Sequence, residues 1–409
     1  MRRLRVAYRT FDGFERALTE QAAAFSAGVG GGCGVELVPF DPPGFVSAFV
    51  NGDELASGRW DVVMLLTDWI PRVADRGGLL ALDDRLMADP PERWPSDFHD
   101  GVLRLGGYDG ATYALPYHDG PQALMYRTDL FADQGERAAF HARHGRELEV
   151  PRTWAHFLDV ASFFSRGPHL AGCVVAAYPD GHNTVYDFLI HLWARGGRLL
   201  DEGGEPAFDS EAGVAALTWL RDLVAAGTCQ ADALNHDSVR AGATFAEGGA
   251  AMMWNWLGFA VAAELPGSPV RGLIACAPMP GHATGPGPTL SLYWTLAIPV
   301  GAPDPDLSWA FLTHTASSHC DRMTARAGAV AVRLSTWRNE AVRADFPAYR
   351  VIEQAHASAR NLPHVPDYPV VNDLLNEAID RVYRHAVEPR AALADAAARL
   401  RIARAGVHS

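Results

Sequence analysis

Leu4, Val6 and Tyr8 alternate with Arg3, Arg5, Ala7 and Arg9, a period of two that predicts a strand. Phe14, Leu18, Ala22 and Phe25 follow at helical spacing, and residues 35–40 return to an extended pattern. Residues 1–40 therefore read as a strand, helix, strand unit. The glycine-rich link at 28–34 follows the helix instead of opening it and misses the Gly-x-Gly-x-x-Gly spacing, so it reads as a plain loop and not a dinucleotide site. Val62 to Leu66 is an unbroken apolar run, as expected of a parallel strand covered on both faces. In open α/β sheets the binding crevice lies beyond the carboxyl ends of the strands, and Thr67, Asp68 and Trp69 come immediately after this one.

Two further extended runs, 112–117 and 123–126, are separated by His118, Asp119, Gly120 and Pro121. A Pro and Gly break of this kind suits a chain crossing between lobes, with the first crossover near Pro116. From Pro151 the pattern turns helical. Thr153 is placed to cap a helix carrying Trp154, Phe157, Leu158 and Ala161 on one face. Another helix opens at Asp209 or Ser210, turns Val214, Leu217, Leu220 and Val224 inward, and stops at Gly227. Residues 245–256 form a Gly-interrupted apolar segment, 270–278 and 295–299 read as strands, 308–315 begins a helix, and the chain ends in helices.

At 409 residues the chain exceeds what one core holds, so two domains or more are expected. The net charge of −13 arises from 48 acids against 35 bases, and every base is arginine. The absence of lysine removes the phosphate-binding loop ending in Gly-Lys-Ser/Thr and all lysine Schiff-base chemistry. An acidic chain without a basic stripe argues against nucleic acid. No apolar run approaches the roughly 20 residues of a membrane span. The five cysteines, Cys33, Cys173, Cys229, Cys276 and Cys320, show neither Cys-x-x-Cys nor zinc spacing. Buried thiols are expected, with one disulfide left open. No metal site and no cofactor are implied.

The order of several segments resembles one family. They are DVVMLLTDWIPRVADRGGLLALDD from Asp61, GATYALPYHDGPQALMYRTDLF from Gly110, VPRTWAHFLDVA from Val150, GGRLLDEGGEPAFDSEAGVAALTWLRDLV from Gly196, FAEGGAAMMWNW from Phe245, YWTLAIPVGAPDPDLSWAFLTHTAS from Tyr293 and GAVAVRLSTW from Gly328. Together the chain resembles the extracellular solute-binding proteins that feed sugars to ABC importers, relatives of maltose-binding protein. That resemblance implies an α/β, two-lobe periplasmic-binding-protein-like fold with a hinge and an interlobe cleft. Lobe one is expected over 1–116 plus 270–316 and lobe two over 117–269 plus 317–409. It implies a monomer that captures a carbohydrate, polyol or sugar derivative and delivers it to importer permease subunits outside the cytoplasm. The first residues contain no apolar signal segment and no lipid-attachment cysteine, so export rests on the resemblance alone.

The residues expected at the ligand are Tyr8 and Arg9 at the end of the first strand, Asp68 and Trp69 after the Asp61 strand, and His118 and Asp119 beyond the crossover. Tyr186 belongs to a polar cluster with Asn183 and Asp187. Trp254, Asn255 and Trp256 combine two rings and an amide. Tyr293, Trp294 and Arg333 lie where the family presents residues to ligand. Aromatic faces suit the C–H faces of a sugar ring, and carboxylates, amides and arginine suit its hydroxyls. The rival readings are a glycoside-acting enzyme and a sensor on the same scaffold. Against the enzyme, no Gly-x-Ser-x-Gly and no His-Glu-x-x-His occurs, and His141 and His144 lie in a charged stretch typical of a solvated helix.

Overall fold

In the computed structural model, residues 3–28 and 31–407 are described. Met1, Arg2, and Val29 and Gly30 of the glycine-rich link lie outside them. Apart from a two-residue pair, Gly107–Tyr108 with Ala111–Thr112, the strands run in chain order β1 (Arg3–Arg9), β2 (Gly34–Phe40), β3 (Val62–Leu66), β4 (Ala114–His118), β5 (Gln122–Arg127), β6 (Ala171–Val174), β7 (Ala250–Trp256), β8 (Ile274–Ala277), β9 (Thr289–Ser291), β10 (Trp294–Ala297) and β11 (Ala359–Asn361). The helices include α1 (Asp12–Ala27), α2 (Trp154–Phe164), α3 (Asn183–Ala194), α4 (Glu211–Ala225), α5 (Pro305–Thr315), α6 (Ser318–Arg326) and α7 (Tyr368–His385).

Helix starts follow their caps. The first turn of a helix leaves backbone N–H groups unpaired, and short polar side chains accept them. Thr153 accepts from the Cys-free first turn of α2 through the His156 N–H at 3.2 Å. Ser210 does so from Gly213 at 3.4 Å for α4, and Asp304 takes the Asp306 and Leu307 N–H groups of α5 at 3.1 and 3.0 Å.

The chain forms two compact units. Unit 1 is Met1–Pro121, Ser291–Glu353 and Asn361–Tyr368, and unit 2 is Gln122–Leu290, Gln354–Arg360 and Pro369–Ser409. Unit 1 holds a five-stranded sheet in the order β2-β1-β3-β10-β4. β1 runs parallel to β2 and β3, and β10 is antiparallel to both its neighbours. The run 62–66 is buried at every position, as an inner strand requires, although one of its two partners is antiparallel. Val6, Val62, Met64, Leu115 and Leu296 from the sheet pack with Phe14, Leu18 and Phe25 of α1 and Phe311 and Leu312 of α5. One polar knot joins α1 to α6 inside this core. The Gln21 amide donates to Cys320 O and Thr324 Oγ1, both at 2.9 Å, and accepts from the Tyr117 hydroxyl at 3.0 Å.

Unit 2 holds a four-stranded sheet in the order β8-β5-β7-β6, with β5 antiparallel to β8 and β7, and β6 parallel to β7. α3 and α4 pack on each other in this unit.

The expected lobe boundaries need correction. Residues 270–290 belong to unit 2, because β8 pairs with β5 through Ala275 and Tyr126. Residues 317–353 belong to unit 1, because α6 packs on α1. The first crossing falls after Pro121 and not near Pro116, because β4 extends to His118 as the fifth strand of the unit 1 sheet. A pairing partner more than a hundred residues away leaves no local trace, which is why the mapping from the resemblance and the Pro and Gly break misplaced these joints.

Candidate functional site

One edge of the unit 1 sheet gathers most of the expected residues. β1 and β3 end there, and β10 begins there, with Trp294 opposite Leu66 on one side and His118 on the other. Arg9, Asp68, Trp69, His118, Asp119, Tyr293 and Trp294 therefore share one end of adjacent strands. Several of their rings join neighbouring phenylalanines in a packed aromatic cluster. Trp69 stacks on Phe45 at 6.0 Å and meets Trp294 edge-on at 5.6 Å. Phe14 lies 6.1 Å from Trp294 and 4.8 Å from His118. The Arg9 guanidinium sits 5.7 Å from the Trp294 ring and 5.9 Å from that of Phe11, within cation–π range.

Accessibility divides this group. Arg9, His118 and Trp294 are partly exposed, whereas Asp68, Trp69, Asp119 and Tyr293 are nearly closed to solvent. The Val330 N–H donates to His118 Nδ1 at 2.9 Å, so that nitrogen carries no proton and Nε2–H is left as a donor. Burial, helped by the Arg9 charge and opposed by Asp119, holds the imidazole down to about 4. It is therefore neutral at neutral pH. Burial, with the Asp119 charge adding, pushes the Tyr293 hydroxyl well above its ordinary value. The same holds for Tyr368, where the added charge is Asp68. Both phenols stay protonated.

In unit 2 the set lies where β7 ends against α3. Trp254 and Trp256 are two residues apart on a strand and point to the same side, about 6.6 Å apart along it. Asn183 and Asp187 are four apart on a helix, about 6 Å along its axis. The two spacings match. The Trp256 indole N–H donates to Asn183 Oδ1 at 2.9 Å, and Trp254 is the corresponding neighbour of Asp187. Burial pushes the Asp187 carboxyl up to about 7, with donors on Trp254 and Gln122 drawing it part of the way back and the Asp180 charge adding. Tyr186, 1% exposed, meets Trp256 edge-on at 5.9 Å. Trp256 alone of the expected unit 2 residues keeps partial exposure.

Four expected contacts prove to be engaged elsewhere. Arg333 is fully buried: Nη1 donates to Asp97 Oδ2 at 2.9 Å, Nε to Ala316 O at 2.7 Å and Nη2 to Glu92 O at 2.8 Å, with the Phe98 ring 4.7 Å away. Burial alone raises the Asp97 carboxyl, but hydrogen bonds from Ser335 and Arg333 outweigh it and hold the group below the ordinary range. Trp254 is core, 5.3 Å from Trp154 and 5.4 Å from Phe157. Asn255 donates to Ser238 O at 3.0 Å and accepts the Trp256 N–H at 2.9 Å, so it shapes the strand end. Tyr8 packs in the unit 1 core. An arginine in a polar loop and a tryptophan in an alternating strand look the same whether they face solvent or a partner, so the sequence offered no sign of these roles. Tyr368 beside Asp68 and Gln122 beside Asp187 were not anticipated, since each comes from a distant segment without a motif.

Among the described residues no group of three or more His, Cys, Asp or Glu side chains is placed to hold a metal ion. No helix there is long and apolar enough to cross a membrane.

Residues 14–318 match the model of the bacterial extracellular solute-binding protein family. Maltose-bound T. maritima MalE3 superposes with a TM-score of 0.86 at 21% identity, covering 98% of this chain and 100% of that one. An ABC transporter solute-binding protein from Agrobacterium radiobacter in complex with ribitol gives 0.86 at 24% identity, covering 97% and 98%. One from Agrobacterium vitis with bound D-mannitol gives 0.84 at 19%, covering 99% of each. The fold is thus the α/β fold of the two-lobe binding proteins. With the match extending over well more than half its length, the chain belongs to the family of bacterial extracellular solute-binding proteins.

Proposed function

We propose that this protein captures a carbohydrate or related polyol outside the cytoplasm and delivers it to the permease subunits of an ABC importer, acting as a monomer and making or breaking no bond. The contacts proposed in unit 1 are Arg9, His118 and Trp294, with Asp68, Trp69, Asp119 and Tyr293 near them, and the contact proposed in unit 2 is Trp256, with Tyr186 against its ring. The observation that carries the reading is the chemistry of the accessible groups: in unit 1 the Trp294 indole beside neutral or delocalised hydrogen-bond donors, and in unit 2 a second partly exposed indole, Trp256. An indole face covers the C–H face of a sugar ring and removes apolar area from water at about 25 cal/mol per Å2. His118 Nε2–H and the Arg9 fork are donors for hydroxyls that must not be left unpaired. Relatives of the same fold hold maltose, ribitol and D-mannitol.

An anionic sugar derivative needs more positive charge than this set supplies. Of the two arginines among the expected contacts, Arg9 and Arg333, the second is already neutralised by Asp97 at 2.9 Å. A neutral ligand is therefore the better fit.

Titration with a panel of sugars, polyols and sugar acids, by calorimetry and thermal shift, tests the proposal. A ligand at 100 times its Kd stabilises by about 2.7 kcal/mol. Trp294→Ala and Trp256→Ala should each weaken it roughly tenfold, about 1.4 kcal/mol. A panel in which no polyhydroxylated compound binds, or product formation from a glycoside, defeats the reading.

A further inference from the structure

Cys173 and Cys229 lie side by side inside unit 2. Cys173 is in β6, and Cys229 follows α4, 56 residues later. Their backbones form a parallel bridge, with the Cys173 N–H donating to Thr228 O at 3.1 Å. Parallel neighbours are separated by about 4.8 Å, inside the 4.4–6.8 Å that a disulfide requires between Cα atoms. The two Sγ atoms are 3.6 Å apart, in van der Waals contact, and at this backbone separation a change of side-chain torsion closes the remaining gap. The other three cysteines are dispersed: Cys33 leads into β2, Cys276 is in β8 and Cys320 is in α6.

We propose that Cys173 and Cys229 form a structural disulfide when the protein folds in an oxidising compartment. A thiolate of one cysteine attacks the disulfide of an oxidant, such as oxidised glutathione or a thiol oxidoreductase, and one oxidant thiol leaves. The thiolate of the second cysteine then displaces the other oxidant thiol, so that the new Sγ–Sγ bond replaces the oxidant's. The two cysteine protons end on the two released thiols. Both cysteines are 9% exposed or less, so the exchange belongs to folding, before unit 2 closes over them. In the folded protein the Cys173 thiol is held well above its ordinary value, first by its contact with Cys229 and then by burial. A reduced, folded molecule therefore oxidises slowly, and an oxidised one resists reduction.

The bond closes a loop containing all of α3 and α4. Asn183, Tyr186 and Asp187 lie on that loop, so the crosslink pins the helix against which Trp256 rests. It restricts the unfolded chain over 56 residues and raises stability accordingly.

The test is to refold the full-length protein in a glutathione redox buffer and alkylate it in denaturant. Three labelled thiols are expected from the five cysteines, and five after reduction. With no lysine in the chain, trypsin cuts at arginine alone, and the unreduced digest should join peptide 167–195 to peptide 222–240. Reduction should lower Tm by about 5–15 °C, and the Cys173→Ala/Cys229→Ala variant should show no response to reductant. Five labelled thiols after oxidative refolding, or a link involving a different cysteine, overturns the proposal. The labelling decides it even where the double variant does not fold.

Discussion

Arg333 shows how burial changes the meaning of a residue. Its guanidinium is closed off among Asp97, Ala316 O, Glu92 O and the Phe98 ring, so removing it leaves Asp97 charged and buried without its partner. Arg333→Met should destabilise unit 1 by about 3–5 kcal/mol in urea unfolding, while any variant that stays folded keeps its affinity for solute. A loss of affinity without a loss of stability returns Arg333 to the ligand. Asp187 gives a signed pH dependence. Its folded carboxyl titrates near 7 against an ordinary 3.8, so between those values the folded state holds a proton that the unfolded chain has released. Stability then falls as pH rises through that window, and the full penalty stands above about 7. Asp187→Asn removes this contribution. Between pH 5 and pH 8 the wild type should lose about 2–3 kcal/mol relative to the variant, read from paired denaturant curves. Parallel curves for the two proteins would show that the carboxyl ionises normally.

At the scale of elements, β7 and α3 are matched rulers. Two residues of strand and four of helix cover nearly the same distance, so one tryptophan meets Asn183 and the next meets Asp187. A double-mutant cycle on Trp256→Phe and Asn183→Ala should give a coupling of about 0.5–1.5 kcal/mol for their hydrogen bond, measured by chemical unfolding. Additive single variants would deny the pairing. Much of this was legible in the chain: the alternation over β1, the Thr153 and Ser210 caps and the apolar run of β3 all follow from local pattern. Which of the two tryptophans keeps a partly exposed ring was not legible. Trp254 and Trp256 share a face, and only the cluster of Trp154, Phe157 and Trp219 distinguishes them, by burying Trp254.

In the whole molecule neither unit is a continuous stretch of chain. The chain passes from one unit to the other after Pro121, Leu290, Glu353, Arg360 and Tyr368. β10 lies between β3 and β4 in the unit 1 sheet, so a fragment ending at Pro121 lacks the strand that joins β4 to the rest. Such a fragment should show no cooperative thermal transition by circular dichroism, and adding the segment 291–353 in trans should restore helix and strand signal if the two associate. A cooperative melt of the fragment alone would mean that β4 has another partner. By itself, the sequence determined β1, β2, β3, α1, α2 and α4 and the kinds of side chain at the strand ends, because periodicity, caps and composition act over a few residues, and the order of its segments implied the class of fold through resemblance to a family. The tertiary structure alone decided where the units divide, that Arg333 is tied to Asp97, and that Arg9, His118, Trp294 and Trp256 are the ones left accessible. Those outcomes depend on contacts between segments tens to hundreds of residues apart, whose free energies are fixed by burial and pairing that no local pattern records.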